Sequence, residues 1–202
     1  MRLYHNPASP FVRKVHVLIL EAGRADEVTL VPAAGTPIEP GTMPVAFNPL
    51  GKIPCLERPD GPALYDSRVI CRFLNDRFAA GLYPDPPRVW ETLTLEAMAD
   101  GIMDAAVLMR YERFVRPDDQ QMEAFVEAQW QKITRALTAL EAGWMGYLAA
   151  PPDMAQLGLA CALGYLDFRH GERDWRRGLP TLAGWASRIA SREALAGTMP
   201  PS

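Results

Sequence analysis

The chain has 202 residues, of which 49% are apolar and 22% charged, with a formal net charge of −3. This is ordinary for a globular chain that buries a core, as one large domain or two small ones. No Lys/Arg cluster stands out and no apolar run reaches the ~18 residues of a membrane span, so neither nucleic acid nor a bilayer is the expected partner.

Arg2 to His5 reads as a short first strand. Asn6-Pro7-Ala8-Ser9-Pro10 is a turn that becomes a helix start, with Ser9 as N-cap and Pro10 at the first helical position. Phe11, Val15, Leu18, Ile19 and Ala22 follow the helical period, and Gly23 ends the helix. Arg13 and Lys14 are expected on its polar side. Val28 to Val31 is the next strand. Residues 32–47 hold four prolines and two glycines, which predicts a long connection with at most one helical turn. Ile53–Glu57 and Ala63–Tyr65 form the arms of an antiparallel hairpin around Pro59-Asp60-Gly61. A helix follows from Ser67 to about Phe78, with Val69, Ile70, Phe73, Leu74 and Phe78 inward.

Ala79 to Pro87 has no period and reads as a linker; all that follows is helical. One long helix runs from Arg88 to about Arg113. Asp118 and Gln121 form a capping box before the next, which carries Phe125, Trp130, Ile133, Leu137 and Leu140 on one face. Asp153 and Gln156 form a second box before a nearly all-apolar helix, Leu157 to about Phe168, which should be central. Pro180-Thr181 opens a last helix.

The stretch Asn48 to Leu56 carries the chemistry. Pro49 and Gly51 break regular structure, and Pro54 belongs at the first residue of its strand. X-Pro is the linkage where a cis bond is cheap. A cis Ile53-Pro54 bond would turn the Ile53 N–H and C=O away from the sheet, free to pair with an extended peptide. Asp66-Ser67 stands at a helix entrance, where N–H groups and the dipole favour a carboxylate. The residues describe a site for a small, peptide-like anion.

The cysteines Cys55, Cys71 and Cys161 are widely spaced and odd in number. They form no disulfide framework, metal knuckle or Cys-x-x-Cys, so no metal is expected and a reducing cytoplasm is the expected home. The N-terminus enters Arg2-Leu3-Tyr4 with no apolar secretory segment.

Several motifs together resemble one family. They are Ser9-Pro10-Phe11-Val12-Arg13-Lys14, Asn48-Pro49-Leu50-Gly51-Lys52-Ile53-Pro54, Asp66-Ser67 and the second-half capping box. Over its whole length the chain resembles the bacterial glutathione S-transferases of Ser type. The segment from Glu96 to Ala105 looks like a proteobacterial subgroup known from uncharacterised reading frames. The resemblance implies an α/β thioredoxin-like N-terminal domain (βαβ-ββα) over residues 1–79, a linker over 80–87 and an all-α domain over 88–202. It implies glutathione as co-substrate, an apolar electrophile as second substrate, and a homodimer. By resemblance, Ser9 donates to the glutathione sulfur, Ile53 pairs with the cysteinyl backbone beside cis-Pro54, Asp66 and Ser67 hold the γ-glutamyl end, and Lys52 lies near the glycyl carboxylate. Many members carry Glu-Ser where this chain has Asp66-Ser67, and Ser or Thr with Asp where it has Asp153 and Gln156.

These residue types suit that chemistry. A free thiol titrates near a pKa of about 8.5, so little thiolate exists at neutral pH. A hydroxyl at a helix N-terminus stabilises the anion by a charge-assisted hydrogen bond and the dipole. Read alone, Ser9 is a plain N-cap and Tyr4 a core tyrosine, and Lys52 is as well a loop lysine as a ligand; the other motifs turn Ser9 to the catalytic reading. Ser9 stands where redox relatives carry cysteine, so disulfide exchange there is excluded. Glu96, Asp100 and Asp104 recur every four residues: either a solvated face, or a stripe in which Asp100 meets the partner subunit's glutathione amine. Met98, Met103, Met109, Tyr111, Phe114 and Met122 offer either core packing or a permissive pocket; Phe11, Met103 and Tyr111 are the candidates against the electrophile. Two alternatives remain: a binding module like the stringent starvation proteins, and glutathione-dependent peroxide reduction or isomerisation.

Overall fold

Strand β1 (Arg2–His5) is the middle of a three-stranded sheet in a computed structural model that describes residues 1–201. It pairs in parallel with β2 (Thr29–Pro32), Leu3 opposite Leu30, and antiparallel with β3 (Cys55–Glu57), Leu3 opposite Leu56. Parallel neighbours need a crossover, and helix α1 (Pro10–Glu21) supplies it. Alternation along β1 sends Leu3 into the main core, whereas Tyr4 packs on the other face with Ala33 and Cys55.

Helix α1 begins as its sequence dictates: Ser9 caps it and Pro10 opens it. Val15, Leu18 and Ile19 are buried, and Gly23 ends the helix at φ +65°. Arg13 and Lys14 depart from the expected solvated side and are 5% and 0% exposed. A second helical domain closes over that face of α1.

The hairpin predicted after Pro54 forms only in part. Its return arm is a single bridge, Leu56 with Leu64, because Pro59 and Pro62 offer no N–H and the next helix starts at once. That helix, α2 (Ser67–Phe78), buries Ile70, Leu74 and Phe78. Val69, expected inward, is 47% exposed, since one residue of helix turns it about 100° from Ile70.

The second half contains α3 (Val89–Val115), α4 (Glu123–Gly143), α5 (Met145–Leu148), α6 (Met154–His170), α7 (Pro180–Ala190) and α8 (Glu193–Ala196). Asp118 does not cap α4. Residues Asp118–Gln120 make a 3₁₀ turn closed on itself by the Gln121 amide, and α4 begins at Glu123. The Met122 N–H is taken instead by Glu112 Oε1 at 2.9 Å. Asp153 does cap α6, its Oδ1 accepting the Gln156 N–H at 3.1 Å. The Gln156 amide turns to the carbonyls of Ala150 and Pro151, so the reciprocal half of that box is absent. Helix α6 is buried along most of its length and packs against both α3 and α1.

Candidate functional site

Asn48 builds the turn that opens the site. It is 2% exposed; its Nδ2 donates to the Lys52 carbonyl at 2.8 Å and its Oδ1 accepts the Leu50 N–H at 3.1 Å. Gly51 completes the turn at φ +61°, a conformation glycine adopts without steric cost. The chain leaves it as Lys52-Ile53-Pro54, with the Ile53–Pro54 peptide bond cis. Ile53 precedes β3, and its N–H and C=O make no hydrogen bond among the described residues.

These residues form one wall of a cleft of about 290 Å³, also lined by Phe11 of α1, Asp66, Ser67 and Arg68 of α2, and Asp100 and Asp104 of α3. Lys52 is exposed, lines the cleft and has no salt-bridge partner among the described residues. Ser67 is 2% exposed, and its hydroxyl binds no protein group among the described residues. Asp66 caps α2 by accepting the Arg68 N–H at 3.0 Å, and the Arg68 Nη2 reaches its other oxygen at 2.7 Å. Burial works against the Asp66 anion, but the hydrogen bonds and charge of Arg68 prevail and hold the carboxyl below its ordinary value.

Behind this wall lies an ion cluster. Lys14 Nζ is 2.7 Å from Asp100 Oδ1 and 3.1 Å from Glu96 Oε1, and Tyr83 donates to the same Glu96 oxygen at 2.9 Å. Burial alone would push the Lys14 ammonium down; the carboxylates Asp100 and Glu96 carry it above the usual lysine range. The stripe read as a solvated face is therefore mostly interior: Glu96 and Asp100 are 2% and 5% exposed, and only Asp104 faces solvent. Burial raises the Asp104 carboxyl, with Lys52 and Arg68 working against that rise.

Ser9 stands at the mouth of α1, two residues before Phe11, and does not itself line the cleft. Its Oγ accepts the Val12 N–H at 3.4 Å, and its own proton is given to no group among the described residues. Tyr4 is no rival, because its hydroxyl donates to Glu57 at 3.1 Å on the far face of the sheet. Cys55, Cys71 and Cys161 are buried and free; burial raises each thiol, Cys55 and Cys161 to about 11.

The candidates against the electrophile separate. Phe11 lines the cleft. Met103 does not: it is 0% exposed, packed in the main core by the inward face of α3. Tyr111 is half-buried near Tyr165 and outside the cleft. Sequence reasoning missed Arg68 and the interior role of Lys14. Lys14 had a signal, since it lies one turn before the core residue Leu18. Arg68 had one too, two residues after a capping Asp at the start of an apolar-periodic helix.

Family models for the N-terminal and C-terminal domains of glutathione S-transferase match residues 8–77 and 123–188. An uncharacterised GST-like protein of Escherichia coli K12, YibF, is 35% identical over 209 residues, covering 100% of this chain and 99% of its own. The chain belongs to the glutathione S-transferase family. A family member from Pseudomonas fluorescens Pf-5, solved with bound glutathione, is 46% identical with TM-score 0.96, covering 100% of this chain and 99% of that one. A glutathione S-transferase from Methylobacillus flagellatus KT, also with glutathione bound, is 33% identical with TM-score 0.86 and 99% coverage of both chains.

Proposed function

We propose that this chain is a glutathione transferase which binds glutathione in the cleft and holds its sulfur as a thiolate for attack on an apolar electrophile. The observation that carries the reading is the set of unengaged polar groups on one cleft: the Ile53 main chain beside cis-Pro54, the Ser67 hydroxyl and the Lys52 ammonium. An extended tripeptide matches them. Its cysteinyl backbone pairs with Ile53, its γ-glutamyl carboxylate meets Ser67 and the N-terminus of α2, and its glycyl carboxylate meets Lys52. Asp66, fixed by Arg68, and Asp100 serve the γ-glutamyl amine; Asp100, expected at the partner subunit's glutathione, lines the cleft of its own chain. The sulfur then lies toward α1, where Ser9 has a proton to give and the helix dipole favours an anion. The glutathione-bound Pseudomonas and Methylobacillus relatives support this reading.

In this reading residues 1–79 bind glutathione, 80–87 connect, and 88–202 supply the electrophile-facing surface, whose residues on the cleft are Asp100 and Asp104. Tyr111 borders that surface at most from outside the cleft, and Met103 has no part in it. The protein acts as a homodimer in the cytoplasm, in detoxification, and the exposed Val69 with Leu64 and Phe73 is an apolar face suited to a second copy. The same thiolate would serve peroxide reduction or isomerisation. Calorimetry with glutathione, ultraviolet thiolate absorbance of the complex, and turnover with an aryl halide, a hydroperoxide and an isomerisable substrate test the proposal. Absence of both glutathione binding and thiolate absorbance overturns it.

A further inference from the structure

The cleft contains one polar atom that the fold isolates. Asp100 is 5% exposed and lines the cleft, yet its Oδ2 has no hydrogen-bond partner among the described residues. Arg68 Nε lies 3.8 Å away, too far for a hydrogen bond. The other oxygen, Oδ1, is held at 2.7 Å by Lys14 Nζ. A buried carboxylate oxygen without a donor is costly, and a ligand donor placed there would remove the cost.

The Lys14 side chain is itself closely seated. It enters from α1 with no exposure, and Glu96, hydrogen-bonded by Tyr83, takes its ammonium from the other side at 3.1 Å. Its aliphatic stem passes over Gly158 of α6, where an added Cβ would stand 3.3 Å from Lys14 Cδ. Around Asp100 the charged and titratable neighbours are Lys14 of α1, Arg68 and Cys71 of α2, Glu96 and Asp104 of α3, and Cys161 of α6. Lys14 is the cation in direct hydrogen-bond contact with this carboxylate, and that contact occupies one oxygen only.

We propose that Lys14 is a positioning residue for ligand recognition: by pinning Asp100 Oδ1 it aims Oδ2 into the cleft to receive a primary ammonium. This rests on the glutathione reading above, in which the γ-glutamyl amine is that ammonium. Lys14 touches no ligand. It acts through Asp100, and the selectivity it confers is for peptides that carry the amine over peptides that lack it.

The test is calorimetric titration of wild type, Lys14→Met, Asp100→Asn and the double variant. The ligands are glutathione and glutaryl-cysteinyl-glycine, which differs only in lacking the amine. Wild type is expected to prefer glutathione. Lys14→Met should lower glutathione affinity about tenfold or more, the scale of a lost charge-assisted hydrogen bond, and leave the amine-free peptide nearly unchanged. In the Asp100→Asn background, Lys14→Met should no longer alter the ratio of the two affinities. Equal loss for both peptides, or a further change of ratio in that background, overturns the positioning role. If Lys14→Met does not fold, Gly158→Ala decides, because it crowds the lysine stem and keeps every charge; a lowered glutathione preference supports the role and an unchanged one overturns it. A wild type that binds neither peptide overturns the glutathione reading itself. A wild type that binds both with equal affinity overturns only the ammonium assignment.

Discussion

Ser9 accepts one backbone N–H and keeps a proton of its own to donate, so capping and thiolate stabilisation are compatible in one side chain. They separate in kinetics. Ser9→Ala should lower kcat about tenfold or more with KM changed less than about twofold, while stability falls by ~1 kcal/mol for the lost cap. Ser67→Ala should do the reverse and raise KM first. Steady-state assays with glutathione as varied substrate, alongside urea unfolding, distinguish the two. The cysteines have no such role: with Cys55 and Cys161 raised to about 11 by burial, and Cys71 raised further, none should react with a disulfide reagent at neutral pH until the chain is denatured. The histidines set an acid limit. Burial lowers His16 and His170 below the ordinary 6.5, so the folded state disfavours their protonation. Stability is therefore full above 6.5 and is lost as pH falls from there through the lower folded values. Urea midpoints at pH near 7 and near 5 check this, with the lower midpoint expected at the acid end.

At the scale of elements, most of the fold was legible because each helix announces itself locally. Ser9-Pro10 starts α1, Asp66 starts α2 and Asp153 starts α6, each by a side-chain oxygen on an early N–H. Asp118 carries the same signal and fails, because Pro117 and a tight 3₁₀ turn exhaust it before Glu123. The return arm of the hairpin fails for want of proline donors. The site divides in the same way. Turn chemistry at Asn48-Pro49-Leu50-Gly51 could be read from residues in sequence, whereas the contacts of Lys14 with Glu96 and Asp100 join positions 82 and 86 residues apart and depend on how α6 presses α1 onto α3. Two glycines of α6 make that pressing possible. Gly158 leaves room for the Lys14 stem, and a Cβ at Gly164 would stand 2.4 Å from Arg13 Nη1. Gly164→Ala should consequently destabilise the protein by roughly 1–3 kcal/mol, and Arg13→Ala in the same chain should recover part of the loss. A denaturant double-mutant cycle measures it.

For the whole molecule, the two halves share one continuous core rather than touching at a seam. Leu3, Val15 and Leu56 from the first half belong to the same buried cluster as Leu95, Ile133 and Leu163 from the second. Cooperative unfolding in a single transition is expected. The protein carries its own test, since all five tryptophans (Trp90, Trp130, Trp144, Trp175 and Trp185) report only on the helical half. Thermal unfolding followed by tryptophan fluorescence and by thiol exposure at Cys55, with Cys71 and Cys161 replaced by alanine, should give the same midpoint; separate midpoints would mean that the halves melt independently.

The Arg13 guanidinium donates through Nη2 to the Leu195 carbonyl at 2.9 Å and through Nε to Thr198 Oγ1 at 3.3 Å. The turn from Leu195 to Thr198 is thus the acceptor for a cation rooted beside the proposed thiolate seat. Clipping the chain before Leu195 would strand that cation beneath α6, and the damage would surface some 180 positions upstream, at the end of the molecule where chemistry is expected.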